Sequence, residues 1–252
     1  MAARNVTAKA FKALHQRVNK PLALANVWDT ISARAVAELE STEALATASF
    51  AVARTAGLDD EQLTLDINLA AAKGIAKVAA EFNKPLSVDI QDAYGPELEK
   101  AVNSLIDIGV VGINLEDCEL VTGELYEIDE ATSRVERVLK VARERGVPDF
   151  VVNARCDALV KGRDLDEVLV RGNKYLAAGA TTVFVWGGKR DITRDEVERM
   201  VSEFDGRLAV LAAGLSVKEL AQVGVARYSV GPSLMFAAMQ SIRDEAKKLN
   251  VE

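Results

Sequence analysis

A parallel (β/α)8 TIM barrel, of the α/β class, is the fold this sequence predicts, and three observations carry the prediction. Short apolar runs alternate with longer stretches of helical periodicity along the whole chain. Several of those runs end in charged residues: PLSVDIQDAYG (Pro85 to Gly95), GINLEDCE (Gly112 to Glu119) and FVVNARCD (Phe150 to Asp157). Strands with charged last residues make sense when their ends converge on one site, as they do at the mouth of such a barrel. The length, 252 residues, matches the roughly 250 that one α/β barrel uses, so a single domain over 1–252 is expected. A doubly wound open sheet is the alternative, but no GxGxxG follows any strand.

In chain order, a helical N-terminal segment precedes a first strand, Leu22 to Trp28. A helix over Ser32 to Glu40 leads to strand two, Ala44 to Phe50. Asp59 to Phe82 reads as one long helix, with Leu63, Ile67, Ala71, Ile75, Val78 and Phe82 on one face. Strand three is Leu86 to Ile90, and Pro96 suits the first turn of the helix that stops at Gly109. Strand four, Gly112 to Leu115, precedes a helix from Glu130 to Arg145; strand five, Phe150 to Ala154, precedes one from Leu165 to Ala178. Strand six is Thr182 to Trp186. Capping boxes at Thr193/Glu196 and Ser216/Glu219 open the next two helices, around strand seven at Leu208 to Leu211. Gly224 stops the second of them, Arg227 to Val230 is strand eight, and Gly231-Pro232-Ser233 opens the final helix. Eight strands thus alternate with eight helices.

Composition removes several functions. The net charge of −7, from 31 basic and 38 acidic residues, argues against a nucleic-acid partner. No apolar run of about 18 residues and no signal-like N-terminus is present, so neither a membrane span nor secretion is predicted. Two cysteines, Cys118 and Cys156, cannot build a disulfide framework, and a cytoplasmic location fits. The single histidine, His15, lies in a Lys/Arg-bearing helical stretch and is expected on the solvated surface. Ser-His-Asp, Cys-His and His-based zinc chemistry are then hard to assemble. Without a histidine beside them, both cysteines read as packing residues.

The strand ends bring Trp28 and Asp29; Ser49 and Phe50; Asp89, Gln91 and Asp92; Glu116 and Asp117; Asn153, Arg155 and Asp157; and Trp186 to one opening. At least five carboxylates gathered there repel one another unless a cation sits among them. Oxygen ligands without His or thiolate point to Mg2+ or Mn2+, whereas capping and ion pairs with Arg155 are the alternative use of the same acids. Lys189, in the polar GGKRD loop, lacks the desolvated strand setting of a Schiff-base lysine.

Read together, NVWDTISA (Asn26 to Ala33), ALATASFAVARTAGLDD (Ala44 to Asp60), SVDIQDAYG (Ser87 to Gly95), GINLEDCE, NARCDA (Asn153 to Ala158) and SVGPSLM (Ser229 to Met235) resemble the isocitrate lyase/phosphoenolpyruvate mutase superfamily. The resemblance implies a Mg2+-dependent barrel, with Mn2+ possible, that binds a pyruvate-like 2-oxo acid and stabilises its enolate. It implies Asp89 as the direct metal ligand, Asp60 and Glu116 on metal-bound waters, and Gln91 where the family has a second acid. Arg155 would pair with the substrate carboxylate or the enolate oxygen, and the backbone at Ser49 and Phe50 would grip the carboxylate. Asp60, Glu116 and Arg155 are the catalytic candidates; Trp28, Ser49, Phe50, Asp89, Arg155 and Trp186 are the substrate-binding ones.

The departures are specific. Asp92 stands beside Gln91 and offers a compensating charge. After strand four the chain carries LVTGELYE (Leu120 to Glu127), neither the cysteine-bearing lid of the lyases nor the lid of the mutases, and Cys118 comes too early to replace the former. Trp186 stands where the mutases have histidine. Three readings result: C–C cleavage beside an enolisable 2-oxo acid, as in a lyase or decarboxylase; P–C bond formation or cleavage on a phosphonate; and a metal- and oxo-acid-binding protein without turnover. The final helix, Ser233 to Lys248, starts with an apolar run on all its sides. With the helix exchange of the resembled family, this implies a homo-oligomer, most simply a tetramer.

Overall fold

A computed structural model describes residues 2–211 and 214–249. After helix α1 (Ala2–Leu14), strands β1 (Leu22–Leu24) and β2 (Asn26–Val27) are two halves of the expected first strand, broken at Ala25. There follow α2 (Thr30–Ala37), β3 (Leu45–Thr47), α3 (Ser49–Thr55), α4 (Leu65–Glu81), β4 (Leu86–Asp89), α5 (Leu98–Asp107) and β5 (Gly112–Glu116). The chain continues with α6 (Ile128–Glu144), β6 (Val151–Cys156), α7 (Leu165–Ala177), β7 (Thr182–Val185), α8 (Arg194–Glu203), β8 (Leu208–Leu211), α9 (Val217–Val223), β9 (Arg227–Ser229) and α10 (Ser233–Leu249).

Every strand pairing is parallel. β9 bonds to β1, and β2 bonds to β3, so the ring meets itself across Ala25 and the fold is a TIM barrel. Parallel strands covered on both faces need continuous apolar runs rather than alternation. The strands meet that need, β7 being buried at every position. α1 lies against the N-terminal end of β5, where the Phe11 ring comes so close to Gly112 that a Cβ there would sit 2.8 Å from it. Among the described residues no helix is long and apolar enough to cross a membrane.

Local chemistry sets the helix starts. Thr193 and Ser216 each accept from the backbone N–H three residues on, Glu196 and Glu219 close both capping boxes, and Gly224 takes the left-handed conformation (φ 97°) that ends α9. Two expected elements differ. The strand expected over Ala44 to Phe50 stops at Thr47, because Ala48 is the extended N-cap of the added helix α3, which begins at Ser49. The helix expected over Asp59 to Phe82 is two pieces: a 3-10 turn, Asp60–Gln62, and α4, capped by Thr64. Leu63 is therefore a buried linker residue, and Asp60 sits on a turn.

His15 is also a correction. It is only 5% exposed, edge-on to Phe11 with ring centroids 4.9 Å apart. Nδ1 lies 2.9 Å from the Phe11 carbonyl oxygen, which can only accept, so the neutral ring carries its proton there. Nε2 is buried without a partner. Burial, and next the charge of Arg227, lower its pKa from 6.5 to about 3. The unfolded chain protonates this group near 6.5, so its contribution to stability is full above that pH and is lost as pH falls toward about 3. His15→Gln should therefore flatten the acid side of the stability curve. Urea unfolding free energies between pH ~6.5 and ~4 test this, and slopes equal to wild type would refute it.

Candidate active site

Register builds the site. Asp89 is beside Asn114, Asn114 beside Asn153, and Asn153 beside Thr182 on four successive strands, β4 to β7. Side chains at one level of a barrel can then bond sideways. Thr182 Oγ1 donates to Asn153 Oδ1 (2.6 Å), Asn153 Nδ2 to Asn114 Oδ1 (2.9 Å), and Asn114 Nδ2 to Asp89 Oδ1 (2.9 Å). The Ser49 backbone N–H, first in α3, donates to Asp89 Oδ2 at 3.0 Å. Such N–H groups have no partner inside their own helix. Thr47 and Asn68 hold the Asp89 backbone, so the carboxylate is fixed on every side but one.

Two residues further along, Glu116 of β5 is beside Arg155 of β6, and Arg155 is beside Phe184 of β7. Arg155 Nη1 donates to Glu116 Oε1 (2.7 Å) and Nε to Asp157 Oδ1 (2.8 Å). The guanidinium lies 5.3 Å from the Trp186 ring and 5.9 Å from that of Phe184. Burial opposes the charge of Arg155, but Asp157, Glu116 and Asp89 hold it firmly protonated. Burial pushes the Glu116 carboxyl well above the usual range, with Arg155 pulling the other way. Asp60 is raised to about 6, by burial first and then by the charge of Asp89.

The loop after β4 is strained. Gln91, Ala93 and Tyr94 have φ of 52°, 60° and 59°, a left-handed region that costs about 1–3 kcal/mol for each non-glycine residue. Asp92 holds this loop from inside: its carboxylate accepts from Tyr94 N (2.9 Å), the Tyr126 hydroxyl (2.9 Å) and Leu120 N (3.3 Å). Arg134 donates to the Asp92 and Gly95 carbonyls. Asp92 is thus committed to the loops and does not compensate for Gln91. Gln91 Nε2 donates to the Asp60 carbonyl (2.8 Å) and carboxylate (3.0 Å), while its Oε1 is buried without a partner.

A cavity of about 340 Å³ opens at this end of the barrel. Of the residues expected there, Ser49, Phe50, Asp60, Asp89, Asn153, Arg155 and Trp186 line it. Glu116 stands behind Arg155, and Gln91 behind Asp60. Trp28 does not line it: the break at Ala25 and the start of α2 turn it into a neighbouring groove with Met235 and Met239 of α10. Asp29 caps α2, and Asp117 serves Tyr175, Arg171 and the Asp157 N–H. Sequence reasoning missed Asn26, Arg227 and Phe236 as cavity residues. Asn26 links the barrel seam, donating to the Thr47 carbonyl and accepting from Val230 and Gly231 N–H.

The donor set fits a hard cation that keeps its water. Among the described residues no three His, Cys, Asp or Glu side chains form a metal cage. One fixed carboxylate, Asp89, with Asp60 also on the cavity wall, is the sparse oxygen set that hydrated Mg2+ accepts, and Gln91 stands behind Asp60 with its Oε1 unpartnered. A cation there would also relieve the repulsion that raises Asp60.

The comparisons with known proteins agree with this architecture. A structure from Burkholderia cenocepacia, provisionally assigned as a phosphonomutase, is 33% identical, with a TM-score of 0.87 over 97% of this chain and 99% of that one. An uncharacterized protein of Mycobacterium tuberculosis is 31% identical, covering 86% of this chain and 79% of its own length. Oxaloacetate acetylhydrolase with its product oxalate shares the fold at a TM-score of 0.86 and 23% identity, over 97% of this chain and 87% of that one. The model of the phosphoenolpyruvate phosphomutase family matches residues 11–250, and the chain belongs to that family.

Proposed function

We propose that the protein is a Mg2+-dependent enzyme that acts on a pyruvate-like 2-oxo acid through an enolate, and that the bond it breaks is C–C. The observation that carries this is the Asp89 carboxylate, immobilised at the cavity by Asn114 and the Ser49 N–H, with the Arg155 guanidinium along the same wall. Asp89 would hold Mg2+ (or Mn2+) directly, and Asp60, Glu116 and Gln91 would hold its waters. The ion would polarise the oxo acid's oxygens and lower the cost of enolate charge.

The chain's own groups do the rest. Phe50, second in α3, offers a backbone N–H without an intrahelical partner to the substrate carboxylate. As the C–C bond breaks, its electron pair stays with the oxo acid as enolate, the departing carbon leaves as a carbonyl or as carbon dioxide, and Arg155 meets the charge that collects on the enolate oxygen. Asp60, on the cavity wall beside Asp89, is placed to take and return a proton, and a bound cation would lower the pKa of about 6 that burial and the charge of Asp89 give it. Phe184 and Trp186 lay apolar rings along the cavity wall. Thiol chemistry has little support, since burial raises both Cys118 and Cys156.

P–C chemistry is the second reading, supported by the family match. Lys189 is exposed and Arg190 pairs with Glu196, so the loop after β7 brings no cation to a phosphoryl group, and the cations that line the cavity are Arg155 and Arg227. A non-catalytic binder stands third, on the missing lid residues. The two reduced cysteines support a cytoplasmic setting.

The test is ligand-induced thermal stabilisation with Mg2+ and oxalate, an enolate mimic, followed by turnover assays on oxaloacetate and phosphonopyruvate. Asp89→Ala should abolish the Mg2+-dependent shift without unfolding the barrel, and a full shift in that variant would refute the metal assignment. In wild type the shift should shrink as pH falls through about 6, where Asp60 takes up a proton.

Assembly is part of the proposal. Met235 is the buried residue of α10, while Leu234, Phe236, Met239 and Ile242 are exposed, Ile242 at 68%. Apolar side chains left open along one helix suit a second copy of the chain, and we expect a tetramer in which α10 reaches a neighbour. Light scattering at micromolar concentration decides it: a monomer mass of 27.1 kDa would sink the expectation.

A further inference from the structure

Arg227 is a buried cation with no apparent employment. It opens β9, is 3% exposed, and lines the same cavity as Asp89 and Arg155. Ser229, two residues on and on the same face of the strand, lines it too. The other deeply buried guanidiniums are hydrogen-bonded: Arg134 to the Asp92 and Gly95 carbonyls, Arg171 to Glu167 and the Tyr126 carbonyl. Arg155 has Glu116 and Asp157. Arg227 Nε and Nη1, in contrast, are buried without any partner, and no ion pair among the described residues includes it.

A guanidinium has five donors in a rigid fork, and leaving it unpaired away from water costs far more than an ordinary lost hydrogen bond. Burial pulls its pKa down to about 10, and the charge of Asp89 works in the other direction. Yet no hydrogen bond or ion pair joins the two among the described residues: Asp89 accepts from Asn114 and the Ser49 N–H instead. His15, whose pKa the charge of Arg227 helps to lower, is neutral and offers no counter-charge. Nη2 is not among the sealed atoms, so the guanidinium meets the cavity at that end, and its acceptor must come from whatever fills the cavity. At about 340 Å³ that space holds on the order of ten water-sized volumes, so room remains beyond a three-carbon oxo acid.

We propose that Arg227 binds a second anionic group of the ligand, a carboxylate or phosphonate attached to the carbon beside the oxo-acid unit. The fork geometry suits either oxyanion bidentately, and a desolvated charge-assisted pair is worth much more than one in water. Arg227 then sets specificity: it selects dianionic over monoanionic 2-oxo acids. This rests on the oxo-acid reading above and names the group that reading left open.

The experiment measures apparent affinities by thermal-shift titration of the full chain with Mg2+ and three probes: pyruvate, oxaloacetate and 3-phosphonopyruvate. Wild type should bind at least one dianion tenfold or more tighter than pyruvate. Arg227→Met should remove that gap while pyruvate binding changes less than about twofold, and Arg227→Lys should restore part of it. Whichever dianion loses more identifies carboxylate or phosphonate as the group bound. Ligand-free Arg227→Met should melt no lower than wild type, since an apolar chain replaces an unpaired buried charge. A role confined to packing would lower the melting temperature and leave the gap intact, which overturns the proposal. Equal affinity of wild type for all three probes overturns it too, with the oxo-acid reading left standing. Failure of wild type to bind any of them overturns both. Should the Met variant not fold, Arg227→Gln takes its place in the same comparison.

Discussion

The row of hydrogen bonds from Thr182 through Asn153 and Asn114 to Asp89 is the constraint on which the rest of the site depends. Each member is the register neighbour of the next on parallel strands, so the barrel's backbone pairing delivers the contact without any loop having to fold correctly first. Asp89 is thereby held at a strand end by a rigid lattice, and the N-terminus of α3 adds an N–H to its other oxygen. Preorganisation of this kind is what an electrostatic site needs, because the charge does not have to be oriented during reaction.

The acids of the mouth divide into two groups by what they touch. Asp92 and Asp117 accept hydrogen bonds from loop and helix groups and keep the rim in shape. Asp60 and Asp89 face the cavity, and Glu116 and Asp157 grip Arg155. The first group explains how the left-handed turn at Gln91, Ala93 and Tyr94 persists. Tyr126 and Leu120 tie the segment after β5 to Asp92, and Arg134 clamps the carbonyls beneath. Strain beside a site is tolerated when the surroundings over-determine it, and here they do.

The same division accounts for the segment that replaces a family lid. Leu120 to Glu127 folds back on itself, with Cys118 bridging to Leu125 and the Glu119 N–H donating to the Glu124 carbonyl at 2.8 Å. The Leu120 N–H and the Tyr126 hydroxyl of this segment both donate to Asp92 and tie it to the rim.

What the sequence determined by itself was whatever depends on neighbours in the chain. The apolar runs and the capping boxes are local signals, and they located the barrel, most strand ends and the starts of α8 and α9. The residues closing the apolar runs identified Ser49, Phe50, Asp89, Asn153, Arg155 and Trp186 as cavity residues, and the family pattern added Asp60. Tertiary structure decided everything that depends on which strand lies beside which. Asn114 looks like any polar residue in an apolar run until register places it between Asp89 and Asn153. Trp28 is one residue past a strand, and only the break at Ala25 decides which groove it enters. His15 carries the signs of a surface residue, yet the docking of α1 on the barrel buries it. Arg227 stands at a strand's beginning, where a cation normally reaches solvent; the closed ring leaves its side chain only the interior. Burial is a property of the assembled barrel, and no stretch of chain contains it.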